Sequence, residues 1–127
     1  MKIKLASIFV DNQDKALQFY TEKLGFIKKQ DASMGEYRWL TVVSPDNEDF
    51  ELLLEPNGHP ASKAYQAAIY KDGIPATALF SSDLMKECEE LKKKGVQFKI
   101  EPTTEAWGSY AVFDDTCGNW INVAEVK

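Results

Sequence analysis

The sequence has only one histidine and two cysteines, which limits the sites that it can build. Cys88 falls in a predicted helix and Cys117 in a predicted turn, and their separation matches no metal-ligand spacing. Two cysteines are also too few for the disulfide framework of a small secreted domain. We therefore expect both thiols to be reduced.

The chain also lacks a long apolar segment and a cluster of basic residues. No hydrophobic run approaches the roughly 20 residues of a membrane-spanning helix, and the amino terminus leads into a predicted strand without a signal-peptide core. Lysine and arginine are interspersed with acidic residues at a net charge of -5, which disfavours nucleic acid and anionic membranes as partners. The sequence predicts a cytoplasmic protein whose ligand is a neutral or cationic small molecule.

What the chain does contain is an internal repeat, which becomes visible when the sequence is shifted by 71 residues. Residues 38–46 then fall on 109–117, and in both copies an apolar run, an acidic turn and a second apolar run follow one another. The opening strand, 3–10, falls on 74–81. Half-size copies that cannot bury their apolar faces alone pack against each other, so we expect one shared core and a cleft between the copies.

Each copy is predicted to consist of a strand, a helix and three further strands. Glycines end both helices, and the predicted N-terminal caps are Asp11 or Asn12 in the first copy and Ser81 or Ser82 in the second. The predicted strands are 2–10, 26–30, 36–44, 49–55, 74–80, 96–100, 107–113 and 119–126, and the predicted helices are 13–24, 61–70 and 83–94.

Three motifs occur in a characteristic order along the chain. They are Phe19-Tyr20 with Leu24-Gly25-Phe26, then Glu51-Leu52-Leu53-Leu54-Glu55-Pro56-Asn57-Gly58, and finally Phe113-Asp114-Asp115 with Cys117-Gly118-Asn119. With these motifs the whole chain resembles the vicinal oxygen chelate superfamily, which includes glyoxalase I, extradiol dioxygenases and bleomycin-resistance proteins. The resemblance implies an α+β fold of two tandem βαβββ modules that form a curved mixed sheet around a central cleft. It also implies a single domain, 1–127, built from repeats 1–56 and 73–127 and a short helical connector.

The metal enzymes of this superfamily take a His or Glu ligand from the first and fourth strand of each half. Carried over by resemblance, these positions are Leu5, Glu51, Ala76 and Asn122. Leucine and alanine have no lone pair to donate, and His59 is the only histidine, so a zinc, nickel or nonhaem iron site lacks ligands. We expect no metal and no cofactor. An oxygen-only Mg or Mn site at Glu51, Asn122 and one further acid remains as an alternative.

Glu51 allows two interpretations. Strand alternation places it on the same side as Asn122, in the predicted cleft, where it acts as a base or pairs with a cationic ligand. In the other interpretation it is a rim residue, paired across strands with Arg38 or a lysine. His59 lies in a polar turn, which favours a surface position over a hydrogen bond to a ligand.

Aromatic residues are the second candidate set. The repeat pairs Trp39 with Tyr110, and Trp107 precedes a strand where the superfamily often has a loop over the cavity. These rings are predicted either to stack on a flat or cationic ligand or to fill the core. Trp120 is predicted to face solvent or a dimer partner.

Two functions are consistent with these observations. The first is a metal-independent small-molecule binding protein of the bleomycin-resistance type, with Trp39, Glu51, Trp107, Tyr110 and Asn122 as ligand-binding residues. The second is a glyoxalase-like lyase or isomerase, or a dioxygenase, in which Glu51 is the catalytic base or a metal ligand. The missing ligands favour the first. The resemblance further implies a homodimer, in which the modules either pack within one chain or are exchanged between chains.

Overall fold

The chain folds into eight strands and three α-helices in the order that the repeat predicts. A computed structural model describes all 127 residues. Its elements are β1 (Leu5–Val10), α1 (Gln13–Gln18) with a π-helical turn (Phe19–Lys23), β2 (Ile27–Met34), β3 (Tyr37–Ser44), β4 (Asn47–Pro56), α2 (Pro60–Lys71), β5 (Pro75–Phe80), α3 (Leu84–Lys93), β6 (Phe98–Glu105), β7 (Gly108–Asp114) and β8 (Trp120–Val126). None of the three α-helices has the length and hydrophobicity that a membrane span requires.

The strands form two four-stranded sheets, β1-β4-β3-β2, called sheet A below, and β5-β8-β7-β6, called sheet B. In each sheet the first strand of the module runs parallel to the fourth, and the other neighbours are antiparallel. A parallel pair needs a long connection that returns the chain to the same end of the sheet, and the helix and two intervening strands supply it. The predicted α+β fold of two tandem βαβββ modules is confirmed.

Polar side chains set the starts of α1 and α3. The side chain of Asn12 accepts a hydrogen bond from the amide of Lys15 at 2.9 Å, so Asn12 is one of the two caps predicted for α1. The cap predicted for α3 is wrong, because Asp83 accepts from the amide of Lys86 at 3.2 Å. The hydroxyl of Ser81 instead accepts from the amide of Asp83 and holds the turn before the helix.

One apolar core of 17 buried residues joins the two halves through the sheet faces that carry the helices. The ring of Phe19, in the π-helical turn, lies 6.2 Å from the ring of Phe113 in β7. Leu84, Cys88 and Leu91, the predicted buried side of α3, belong to the same cluster. Because successive side chains of a strand point to opposite faces, the other faces of sheets A and B turn away from this core.

A buried polar cluster lies where the halves meet. Asp115 is fully buried and accepts hydrogen bonds from the Tyr20 hydroxyl at 2.6 Å and from the Asn119 side chain at 2.8 Å. Burial raises the pKa of Asp115, and these donors oppose the shift because they stabilise the charged form. Asn119 and Gln66 also donate to the carbonyl of Phe9 and thereby cover the free edge of β1. The cluster ties β1, α1 and α2 to the last hairpin.

The twofold relation between the halves is visible where α1 and α3 end. Nζ of Lys23 donates to the carbonyl of Lys94 at 2.7 Å, and Nζ of Lys94 donates to the carbonyl of Lys23 at 3.3 Å. The two lysines are 71 residues apart, which is the spacing of the repeat. Each cation satisfies a carbonyl at the negative end of the other helix, so the pair holds the two modules together.

Gly108 is the position at which the backbone leaves no space for a side chain. It has φ of +154°, and a Cβ there would collide with the carbonyl oxygen of Glu125 in β8. Gly25 has φ of +77°, but nothing lies within 4 Å of a Cβ built on it.

We expect Gly108→Ala to lower the free energy of unfolding by about 2 kcal/mol or more, because strand β7 has to move away from β8. Gly25→Ala is the matched control and should cost only about 1 kcal/mol, the strain of a left-handed alanine. Urea unfolding followed by circular dichroism measures both variants. Equal losses would contradict the steric argument.

Candidate functional site

The candidate residues occupy the sheet faces that turn away from the helices. Four buried apolar residues lie outside the main core, one each on β3, β4, β7 and β8: Val43, Leu53, Val112 and Ala124. Val43 is the register partner of Glu51, and Val112 is the register partner of Asn122. Laterally paired residues point to the same side of a sheet, so these residues define two surfaces. We call them the Glu51 face of sheet A and the Asn122 face of sheet B.

Two donors from neighbouring strands hold the side chain of Glu51. The hydroxyl of Thr41 in β3 donates at 2.7 Å and the side-chain amide of Gln30 in β2 donates at 2.5 Å, both to Oε1. The second oxygen, Oε2, has no partner in the chain. Glu51 as a whole is 9% exposed, and Oε2 keeps some contact with solvent, because no fully buried side-chain oxygen or nitrogen lacks a hydrogen bond. Glu51 is therefore fixed through one oxygen and presents the other to the Glu51 face.

The same contacts control the charge of Glu51. The hydrogen bond from Gln30 and then that from Thr41 lower the pKa of Glu51 below its ordinary value, since both donors stabilise the carboxylate. Desolvation acts in the opposite direction and is the smaller effect. At neutral pH the group is an ionised carboxylate with little tendency to take up a proton.

Arg38, one of the partners considered for Glu51, binds elsewhere. Its guanidinium donates to both oxygens of Asp31, at 3.0 and 2.9 Å, and also pairs with Asp14 of α1. These contacts, led by the hydrogen bond from Arg38, lower the pKa of Asp31 to about 2. No lysine lies within ion-pair distance of Glu51. The interpretation of Glu51 as a rim residue paired with Arg38 or a lysine is therefore wrong.

The four positions of the metal enzymes do not provide a ligand set. Leu5 lies directly opposite Glu51 in the β1-β4 ladder. In sheet B the register partner of Asn122 is Ala78, whereas Ala76 lies in an irregular step of the ladder and packs against the core. The equivalence of Leu5 and Ala76 thus fails by two residues, of which the irregular step between Pro75 and Thr77 accounts for one. The protein contains no group of three or more His, Cys, Asp or Glu side chains arranged to hold a metal ion.

The aromatic residues of sheet A are partly exposed. Trp39 lies two residues before Thr41 on the same face and is 38% exposed, which excludes the core-filling interpretation for this ring. Tyr37 follows in the same row at 45% exposure, and its hydroxyl lies against Gly58 so closely that a Cβ there would collide with it. An aromatic row therefore extends from Glu51 towards the end of the β2-β3 hairpin.

Sheet B carries a second aromatic pair. Trp107, in the turn before β7, is 48% exposed and stacks on the half-buried Tyr110 with 6.0 Å between ring centroids. Tyr110 pairs with Ala124 and so lies on the Asn122 face. Trp120 is stacked on Tyr70 of α2 at 4.7 Å and donates to its carbonyl, but the ring remains partly exposed, so contact with solvent or a partner stays a prediction.

His59 has a structural task. Its Nδ1 accepts a hydrogen bond from the amide of Ala61 at 3.0 Å, directly before Pro60 at the first position of α2. This is an N-terminal cap, and proline is well suited to the position that follows it. The hydrogen bond to a ligand considered for His59 has no support in this arrangement.

The two candidate sets remain separate within one chain. Trp39 and Glu51 lie on the Glu51 face, whereas Trp107, Tyr110 and Asn122 lie on the Asn122 face, and the four principal cavities are lined by other residues. Contacts between the halves are made on the helix side, as the Phe19–Phe113 pair shows. A single chain therefore does not enclose the five residues in one cavity.

Gln30 and Thr41 are the residues that sequence reasoning missed. Both lie in predicted strands, yet their approach to Glu51 depends on the register of β2 against β3. That register shifts between Lys28 and Gln30, where the ladder is irregular. An irregularity of this kind leaves no clear signal in a single sequence, because one extra residue turns the following side chains to the other face.

Comparison with known proteins agrees with this architecture. The family model described as Glyoxalase/Bleomycin resistance protein/Dioxygenase superfamily matches residues 2–123. The chain belongs to this superfamily. A superfamily of this breadth supports many chemistries on one scaffold. Membership therefore establishes the fold, whereas the ligand has to be inferred from the residues of the site.

Relatives and solved structures are similar to the chain over almost its whole length. It is 58% identical to the Bacillus subtilis (strain 168) protein YurT, over 98% of this chain and 99% of that protein. The crystal structure of UcmS2 matches with a TM-score of 0.86 and 35% identity over 98% of this chain and 97% of that one. TnmS3, described as an antibiotic binding protein from Streptomyces sp. CB03234, matches with a TM-score of 0.80 and 27% identity over 100% and 97%.

The hydrogen bonds of Glu51 predict a pH dependence of stability. Because its pKa in the folded state is below the ordinary 4.5, ionised Glu51 stabilises the fold fully above that pH, and the effect is lost as the pH falls through the folded-state pKa. Glu51→Gln should therefore be less stable at neutral pH by about 1 kcal/mol and lose less stability on acidification than the wild type.

Gln30→Ala, at an exposed position, should raise the pKa of Glu51. Carboxyl 13C NMR titration measures this, and an unchanged pKa would refute the role of Gln30.

Proposed function

We propose that this protein binds a small cationic or planar molecule on an acidic and aromatic surface. Binding requires no metal ion, and the ligand is not chemically converted. The observation that carries the proposal is the ionised Glu51 side chain, which is fixed by Gln30 and Thr41 and has Oε2 free. A positioned carboxylate binds a cation or an N–H donor more strongly than a mobile one, because less side-chain entropy is lost on binding.

The charge state of Glu51 favours binding over catalysis. A general base is most effective when its pKa lies near the working pH, which for a carboxyl group requires a raised pKa. The hydrogen bonds here shift the pKa in the opposite direction. Such a carboxylate is suited to hold a positive charge and is a weak proton acceptor.

The aromatic residues complete this recognition. Trp39 lies two residues before Thr41 on β3, and the Thr41 hydroxyl contacts Glu51, so we expect a flat cation bound to Oε2 to reach the indole face. Stacking and cation–π contacts of this kind contribute about 0.5–2 kcal/mol each. Trp107, Tyr110 and Asn122 supply a matching surface on sheet B. The description of TnmS3 as an antibiotic binding protein supports a planar drug-like molecule as the ligand class.

We infer that a second copy of the chain completes the site. The two candidate faces are open in one chain, and Tyr37, Trp39 and Trp107 are each more than a third exposed. A homodimer that brings the Glu51 face of one copy to the Asn122 face of the other would cover these rings and enclose the ligand. A symmetric dimer of this kind forms two equivalent clefts.

The alternative function is that of a glyoxalase-like lyase or isomerase, or of a dioxygenase. One observation favours it: Glu51, at a carboxylate position of the metal enzymes, lies opposite Leu5 as that site requires. Against it stand the missing ligand cluster and the lowered pKa of Glu51. Turnover of a 2-oxoaldehyde thiol adduct by the purified protein, abolished in Glu51→Gln, would establish the alternative.

Ligand capture is tested with a planar cation such as proflavine, followed by quenching of tryptophan fluorescence. We expect Glu51→Gln to weaken binding about tenfold or more, because a charge-assisted hydrogen bond is lost. Glu48→Gln is the matched control, since Glu48 is an exposed carboxylate of the same strand that strand alternation places on the opposite face. The proposal would be contradicted if the two variants weakened binding equally, or if the wild type did not bind the dye.

The homodimer is tested by sedimentation at micromolar concentration. Met34 and Met85 are exposed to a similar extent, 61% and 64%, but Met34 lies in the row of Tyr37 on the Glu51 face and Met85 lies on α3. We expect Met34→Lys to shift the equilibrium towards the monomer and Met85→Lys to leave it unchanged. A wild-type monomer, or an effect of Met85→Lys only, would refute the inferred interface.

A further inference from the structure

A cavity of about 250 Å³ lies on the helix side of the molecule, away from both candidate faces. It opens where the turn after α1 passes over sheet B and α3. Its apolar lining comes from both halves of the chain: Leu24, Phe26, Leu79, Leu91, Phe113 and Val123. No residue of the proposed ligand surface contributes to it.

The floor of the cavity offers only apolar contacts. Cys88, Leu91, Phe113 and Val123 are each no more than 9% exposed and belong to the main core. Burial raises the pKa of the Cys88 thiol to about 11, so the sulfur is uncharged at neutral pH. None of these four side chains contains a nitrogen or an oxygen, so a polar ligand would gain no side-chain hydrogen bond to them.

The charged residues at the rim do not select for a charged ligand. Lys23 and Lys94 line the mouth, but each ammonium group donates to a carbonyl of the opposite helix end. Glu87 and Glu90 lie on the facing side of α3 and balance the two positive charges. An ion would therefore meet both signs of charge and would lose its hydration at the apolar floor.

The apolar lining of this cavity occurs in only one half of the repeat. The related place in the other half, where the turn at Gly95 and Val96 meets α1, also has a cavity, of about 320 Å³. Only two of the eight residues that line it are hydrophobic, against eight of the 13 that line the first cavity. An apolar cavity is thus not a general result of packing two βαβββ modules together.

We propose that this cavity is a second binding site, which takes an uncharged apolar molecule of one or two fused rings. An apolar cavity of about 150 Å³ accommodates benzene, so about 250 Å³ admits a larger hydrocarbon. The volume is too small for a helix or strand of another protein. Because the site shares no residue with the Glu51 face, its occupation does not depend on the proposed function.

The two cysteines provide a matched pair of variants. Both are buried, but Cys88 lines this cavity and also the one between α3 and β6, whereas Cys117 lines none of the four principal cavities. In Cys88→Met the longer side chain extends into empty space, so we expect an unchanged or higher Tm. In Cys117→Met it has no space to enter, so overpacking should lower the Tm. The reverse order of the two melting temperatures would show that the floor of the cavity is already filled.

Binding is measured by methyl NMR of the full-length protein titrated with naphthalene. We expect saturable shifts of the Leu79, Leu91 and Val123 methyl groups, while those of Val43 and Leu53 on the Glu51 face do not move. Val123→Met, at a position that lines this cavity and none of the other three, should weaken this binding at least tenfold. Shifts confined to Val43 and Leu53, or no saturable shift, would overturn the proposal, and so would tighter binding of 1-naphthoate than of naphthalene. Failure of proflavine binding, in contrast, concerns the Glu51 face alone.

Discussion

The structure depends on the way in which the two modules use their helix-bearing faces. Phe19 of the first module packs on Phe113 of the second, and Tyr20 donates to the buried Asp115, so both helices and both sheets contribute to one core. A module of this size cannot bury enough apolar surface to be stable alone, and the shared core supplies the missing burial. This arrangement has a direct consequence: the opposite faces of both sheets are left without a partner in the chain.

The chemistry of the open surface follows from strand pairing. Glu51 is ionised and immobile because β2 and β3 place an amide and a hydroxyl at the same oxygen. A carboxylate with these donors stays negatively charged and fixed in position, and it is a weaker base than an ordinary carboxylate. The superfamily scaffold is retained, while Leu5, Ala76 and Ala78 provide no ligand atoms around Glu51 and Asn122. A scaffold of this breadth can serve different chemistries, and the proposed function assigns it to recognition in this chain.

Much of the fold could be predicted from local patterns. The repeat, the order of the elements and the buried side of α3 were all predicted correctly, since they depend on periodicity along the chain. The predictions that were wrong depend on neighbours in space. Arg38 binds Asp31 and not Glu51, and Ala76 is offset from the pairing that the repeat predicts, in part by an irregular step of β5. Neither the choice of an ion-pair partner nor the position of an irregularity is encoded in periodicity.

The sequence by itself determined which chemical groups are available: a single histidine, a carboxylate at position 51, and aromatic residues at positions that the repeat relates to each other. These are properties of composition and spacing. Only the tertiary structure decided what these groups do. It placed His59 at the start of α2, directed Arg38 to Asp31 and brought Gln30 and Thr41 to Glu51. The physical reason is that charge state and orientation depend on contacts between residues distant in sequence, which exist only once the register of the strands is set.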